Sequence, residues 1–111
     1  MAFSLPELPY TYDALEPFID TTTMEIHHKR HHNLYLTNLN NALANINTSN
    51  ISIEDICRNH SENIALRNNG GGYYNHSLFW NILSPNGGGN PNGKVKELID
   101  FINLNKKDKK E

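Results

Sequence analysis

The sequence has 111 residues, enough for one small domain or a part of a larger one. Apolar residues make up 37% and the formal net charge is −2, a balance that points away from nucleic acid and anionic membrane surfaces as partners. Cys57 is the single cysteine, which excludes an intrachain disulfide and a four-thiolate zinc site, and no apolar run has the length of a membrane span.

The chain opens on Leu5-Pro6 and Leu8-Pro9-Tyr10, where each proline holds the residue before it out of the helical region. Nothing in this stretch has the basic and apolar makeup of a secretory signal, so a cytoplasmic location is the expectation. Asp13-Ala14-Leu15-Glu16-Pro17 follows as a short turn. A lead-in of this kind, with few backbone bonds of its own, is expected to lie across the helices that follow. The first long helix is expected from Thr22 to Ile46, entered through the capping residues between Asp20 and Thr23, with Glu25 in its first turn. Leu36, Leu39, Leu43 and Ile46 repeat at three-four-three spacing and mark its buried stripe. A polar turn through Asn47 and Asn50 leads to Ser52-Ile53-Glu54-Asp55, which reads as the capped start of a short helix ending near Asn59 or His60.

A second long helix is expected from Ile64 to Leu83. Gly70, Gly71 and Gly72 oppose it at about 1 kcal/mol each relative to alanine. Leu78, Phe79 and Ile82 nonetheless resume the helical spacing beyond them. Ser84 to Gly93 is rich in Gly, Pro and Asn and reads as a linker. A last short helix, about Lys94 to Leu104, gathers Val95, Leu98, Ile99 and Ile102 on one face. The lysine-rich end, Lys106 to Glu111, reads as a solvated tail.

Six residues of the first helix hold His27, His28, His31 and His32. At helical spacing His27 and His31 share a face with Tyr35 one turn on, and His28 pairs with His32. Such a group serves a metal site, a proton relay, or simply a hydrogen-bonded cluster. His76 stands in an aromatic run, Tyr73-Tyr74-Asn75-His76-Ser77-Leu78-Phe79-Trp80, whose low dielectric favours a neutral imidazole able to bind a metal. The plainer alternative is a core histidine satisfied by a backbone carbonyl. Trp80, one turn from His76, is placed to wall the same site. Two histidines make an open, weak site, and Glu25, Asp55 and Glu62 read as cap or surface residues rather than as a third ligand.

These residues carry a resemblance. The lead-in from Leu5 to Pro17, the run Ile26-His27-His28-Lys29-Arg30-His31-His32-Asn33-Leu34-Tyr35, and Arg67-Asn68-Asn69-Gly70-Gly71-Gly72 with Asn75-His76-Ser77-Leu78-Phe79-Trp80 resemble the helical N-terminal domain of the iron/manganese superoxide dismutases. Leu83-Ser84-Pro85-Asn86-Gly87-Gly88-Gly89 extends the likeness, which covers residues 3 to about 100. The resemblance implies an all-α antiparallel helical hairpin without the family's C-terminal α/β domain. It divides the chain into a lead-in (1–19), a metal-binding hairpin (20–83), a linker (84–93), and a short helix with a charged tail that begins a second domain (94–111).

The resemblance also implies a function, the dismutation of superoxide to oxygen and hydrogen peroxide at one manganese or iron ion per complete subunit. His27 and His76 match two of four protein ligands. His31 matches a residue that pairs with a tyrosine of the other subunit of a homodimer, and Tyr35 matches a tyrosine that relays protons. Trp80 matches part of the aromatic wall. Gly72 stands where iron-type members often carry a glutamine, which implies the manganese-type or metal-tolerant branch. Phe18 and Tyr73 replace histidines common in close relatives. The family's other ligands lie in a D-x-W-E-H-x-x-Y motif, which these 111 residues do not contain. The expectation is therefore a truncated product whose activity alone is impaired or absent. The competing expectations are a noncatalytic helical interaction fragment and one half of a split enzyme.

Overall fold

A computed structural model describes residues 2–109, with side chains to Asn105. The lysine-rich tail therefore falls outside the described side chains, and Lys110 and Glu111 lie outside the described residues altogether. All regular structure among the described residues is helical: α1 (Thr21–Ile26), a π-helical segment (His27–His32), α2 (Asn33–Ala42), α3 (Ile53–Asn59), α4 (Ile64–Ile82) and α5 (Gly93–Lys109).

Local chemistry explains where these elements start. The Asp20 side chain accepts from the Thr23 amide and opens α1. At α3, Ser52 Oγ accepts from the Asp55 amide at 3.1 Å while the Asp55 carboxylate accepts from the Ser52 amide at 3.3 Å, a reciprocal capping box. Asn63 Oδ1 accepts from the Leu66 amide and opens α4. Glu25 lies past the first turn of α1, against expectation, and pairs with Lys29 instead.

The first long helix differs from the expected Thr22–Ile46 in two ways. It ends at Ala42, where the chain turns through Leu43 to Ile46 by shorter-range bonds. Its centre is π-helical through all four clustered histidines, so the ladder runs five residues back rather than four. Around the three glycines, by contrast, the expected helix holds throughout. At Gly70 an added Cβ would stand 3.2 Å from Ile56 Cγ2, so the absent side chain lets α3 lie close on α4.

Contacts between the two long helices run in opposite numerical order, which makes them antiparallel. His27 meets His76 and Trp80, Tyr35 meets Gly72 and His76, and Leu39 and Leu43 meet Leu66. Leu39, Leu43, Ile56 and Leu66 form one core, closed by Phe3, Ile46, Ile53 and Tyr73. Leu15, Met24 and Trp80 form a second, nearer the histidines.

The lead-in crosses the hairpin as expected, held by side chains from below. Asn40 accepts from the Phe3 amide at 3.1 Å and donates to the Phe3 carbonyl at 3.0 Å, matching one residue of extended backbone on both edges. Tyr73 Oη donates to the Ser4 carbonyl, and Tyr10 Oη donates to the Trp80 carbonyl. The bonds at Phe3 and Ser4 satisfy backbone groups of the lead-in that have no sheet or helix partner, and the bond from Tyr10 satisfies a last-turn carbonyl of α4.

α5 reaches beyond its expected end at Leu104. Val95, Leu98, Ile99, Phe101, Ile102 and Leu104 are all exposed, and α5 packs on no other described element. The Cα radius of gyration is accordingly 18.0 Å, against about 13 Å for a compact chain of this length. No described helix is both long and apolar enough to cross a membrane.

The two apolar sets should therefore respond differently to truncation. Leu39→Ala, at a fully buried position, should cost about 3 kcal/mol in urea unfolding. Leu98→Ala, on exposed α5, should change stability by less than about 0.5 kcal/mol in the same measurement.

Candidate metal centre

The π-helical segment decides which histidines meet. Its ring contacts place His31 5.1 Å and His32 5.4 Å from His76, centroid to centroid, so two neighbouring residues of one helix flank a single ring on the other. His27 completes the group at 4.9 Å from His76 and 5.4 Å from His31.

His27 is half-buried, with Trp80 edge-on at 4.9 Å and Phe79 at 5.8 Å. Burial lowers its pKa below the ordinary imidazole value, and the neighbouring His76 and His31 lower it further. It therefore presents a neutral ring at physiological pH, the form that offers a lone pair to a metal. His76 Nδ1 lies 2.8 Å from the Gly72 carbonyl. Because that oxygen can only accept, Nδ1 carries the proton and the Nε2 lone pair is left for a ligand. The plainer reading of His76, a histidine satisfied by a carbonyl, is thus true of one ring nitrogen and leaves the other available. His27, Asn75, His76 and Phe79 line an open cleft of about 310 Å³.

Tyr35 sits on α2 with its ring 5.2 Å from His76 and 5.4 Å from His31. Gly72 makes this possible. A Cβ built at Gly72 would fall 2.2 Å from Tyr35 Cδ1 and 2.4 Å from Cε1, so no side chain fits there unless the tyrosine ring moves. Trp80 is 1% exposed and walls the group from below. His27, His31, Tyr35, His76 and Trp80 thus form one cluster, with His31 on its exposed side.

Carboxylates do not join it: Glu25 and Asp55 are spent on the ion pair and the cap, and Glu62 is exposed. Among the described residues no group of three or more His, Cys, Asp or Glu side chains is arranged to hold a metal ion. The donor chemistry fits part of a nitrogen-rich metal shell, the His27 and His76 imidazoles on facing helices, and no more than part.

For His28 and His32, the buried pair, the plainest of the expected roles applies, that of hydrogen-bonded histidines. His28 Nε2 donates to the Pro6 carbonyl at 2.7 Å and its Nδ1 accepts from Tyr12 Oη at 2.8 Å, so it anchors the lead-in. His32, fully buried, accepts from Trp80 Nε1–H on Nδ1 at 2.9 Å. Its other nitrogen faces Ser77 Oγ at 3.4 Å and the Tyr73 backbone. Burial pushes the His32 pKa down to about 4, with His76, His28 and His27 adding to the effect.

The two substituted positions differ in outcome. Tyr73 is absorbed into the packing, touching Phe3 and His32. Phe18 is 92% exposed, and nothing in the structure explains an aromatic side chain there.

Comparison with known proteins adds the following. The alpha-hairpin domain of the iron/manganese superoxide dismutases matches residues 2–84. The chain is 51% identical over 107 residues to the manganese superoxide dismutase 2 of Bacillus anthracis, a match covering 90% of this chain and 51% of that protein. It is 53% identical over 106 residues to the manganese superoxide dismutase of Listeria monocytogenes, covering 90% of this chain and 52% of that protein. The iron superoxide dismutase of Raoultella planticola is 48% identical over 105 residues, covering 90% of this chain and 62% of that protein. The chain thus spans between half and two thirds of the length of these curated relatives.

Two outcomes follow from the geometry. The unfolded chain takes a proton at His32 near pH 6.5, which the folded chain refuses until about pH 4. Stability should therefore be complete above pH 6.5 and fall as pH drops toward 4, read as a declining urea midpoint, and His32→Asn should flatten that decline. Gly72→Ala should displace the Tyr35 ring, seen as loss of ring-proton NOEs between Tyr35 and His76.

Proposed function

The chain belongs to the iron/manganese superoxide dismutases, and on that membership we propose that it supplies the hairpin half of a superoxide-dismuting metal centre. The observation that carries the reading is the approach of the His27 and His76 rings to 4.9 Å across two helices, with Nδ1 of His76 already committed to the Gly72 carbonyl. His27 and His76 would hold one manganese or iron ion, together with the aspartate and histidine that the family carries in its second domain. When bound, such an ion supplies the one-electron redox chemistry that converts two superoxide ions and two protons to oxygen and hydrogen peroxide.

The hairpin's own residues prepare that chemistry. Trp80 and Phe79 exclude water from one side of His27 and keep its imidazole neutral. Tyr35 and His31, ring beside ring at 5.4 Å with His31 exposed, form the route by which protons reach the site from solvent. The Gly72 carbonyl orients His76 and holds its tautomer, as partners of ligating histidines do. With glycine at 72 and the Tyr35 ring packed in its place, this side of the centre has no room for a glutamine, which supports the manganese-type or metal-tolerant assignment. A homodimer, with His31 at the subunit boundary, and a cytoplasmic location belong to the same proposal.

A second reading, a noncatalytic interaction fragment or one half of a split enzyme, draws on α5. Its exposed Leu98, Phe101 and Ile102 suit a helix that packs on something else.

The test pairs the chain with the C-terminal part of the Listeria monocytogenes relative. The 111 residues alone should bind manganese below stoichiometry and remove superoxide negligibly. Joined to that part, they should bind one ion and turn over superoxide, and His27→Ala or His76→Ala should each lower turnover at least about hundredfold. Full activity and stoichiometric metal in the 111 residues alone, or full activity in both alanine variants, would overturn the reading. Complementation by a separately added C-terminal part would favour the split enzyme.

A further inference from the structure

We propose, on the reading that His27 and His76 hold the metal, that His32 is a positioning residue which sets the separation of those two rings through its hydrogen bond to Trp80. The bond is 2.9 Å long, joins residues 48 apart in sequence, and lies between side chains that are 0% and 1% exposed. Each partner abuts the candidate ligand carried by the opposite helix. The His32 ring, on the first helix, lies 5.4 Å from His76 on α4. The Trp80 ring, on α4, lies 4.9 Å from His27 on the first helix. One hydrogen bond therefore braces both ligands crosswise, and a change in its length moves both helices.

The chemistry of the pair makes the brace specific. Indole N–H is a donor only, so His32 Nδ1 must accept, and the ring proton goes to Nε2. There it meets Ser77 Oγ, which itself donates to the Tyr73 carbonyl at 2.9 Å. The ring is thus held at both nitrogens, and on the Trp80 side both partners are buried too deeply for water to replace a lost one. His31, one residue earlier and exposed, has no such anchorage in the core, which separates a brace from a relay.

Three variants read the proposal on the protein as it stands. His32→Asn places an amide oxygen where Nδ1 stands and keeps the acceptor for Trp80. His32→Gln places its polar group further out, toward Ser77, and loses it. Trp80→Phe keeps an aromatic ring and removes the donor. In the metal-free chain, ring-proton NOEs between His27 and His76 should persist in the wild type and in His32→Asn, and vanish in the other two.

Titration with Co²⁺, followed by visible absorption, should give a dissociation constant within about threefold of wild type for His32→Asn. His32→Gln and Trp80→Phe should bind about tenfold more weakly or worse, with helix content by circular dichroism unchanged. Unchanged NOEs and affinity in both of the latter variants would overturn the proposal, as would an asparagine variant no better than glutamine. Equal loss of helix content in all three would also overturn it, since the role would then be folding alone. The expected NOE pattern with no Co²⁺ bound by the wild type, either alone or joined to the C-terminal part of the Listeria monocytogenes relative, would sustain the brace and sink the metal-site reading instead.

Discussion

A buried imidazole has two ring nitrogens, and neither can be left without a partner at acceptable cost. Two histidines of this chain, His28 and His32, are buried, and the rest of the structure is arranged around satisfying them. His28 draws the Pro6 carbonyl and the Tyr12 hydroxyl onto the hairpin, which fixes the path of a lead-in that has little regular structure. His32 draws Trp80 and Ser77 from the opposite helix, which fixes how the hairpin closes. Apolar burial then adds the larger energy on either side, through Leu39 and Leu66 in one cluster and Met24 and Trp80 in the other.

The division of labour among the four clustered histidines follows from the same constraint. His28 and His32 spend their ring nitrogens on structure. His27 and His31 lie on the side open to the clefts. The π-helical turn allows both outcomes in one six-residue run, because it shifts the register by a residue and brings His31 and His32 to the same ring on α4. Gly72 plays the corresponding part on that helix. Its missing side chain admits the Tyr35 ring and its carbonyl holds His76, so one residue positions both rings.

The hairpin is complete as a scaffold and partial as a metal shell. The His27 and His76 imidazoles face each other from two helices, while Asp20 and Asp55 cap helices, Glu25 pairs with Lys29 and Glu62 is exposed. α5 is the counterpart in packing, an amphipathic helix whose apolar residues meet nothing among the described residues. The chain matches half or somewhat more of each relative's length.

Much of this was legible in the sequence. The capping residues Asp20 and Ser52, the stripe through Leu36, Leu39 and Leu43, and the resumption of helical spacing after Gly72 are local features, and local hydrogen bonding and periodicity determine them. The motif around His27 and His76 was enough to place the chain in its family. Tertiary structure alone decided which histidines are buried, that the helix widens to a π turn through them, and that Gly72 is empty because Tyr35 occupies its space. These depend on side chains dozens of residues apart, Trp80 against His32 and Gly72 against Tyr35, and no local period encodes a partner that arrives from the other helix.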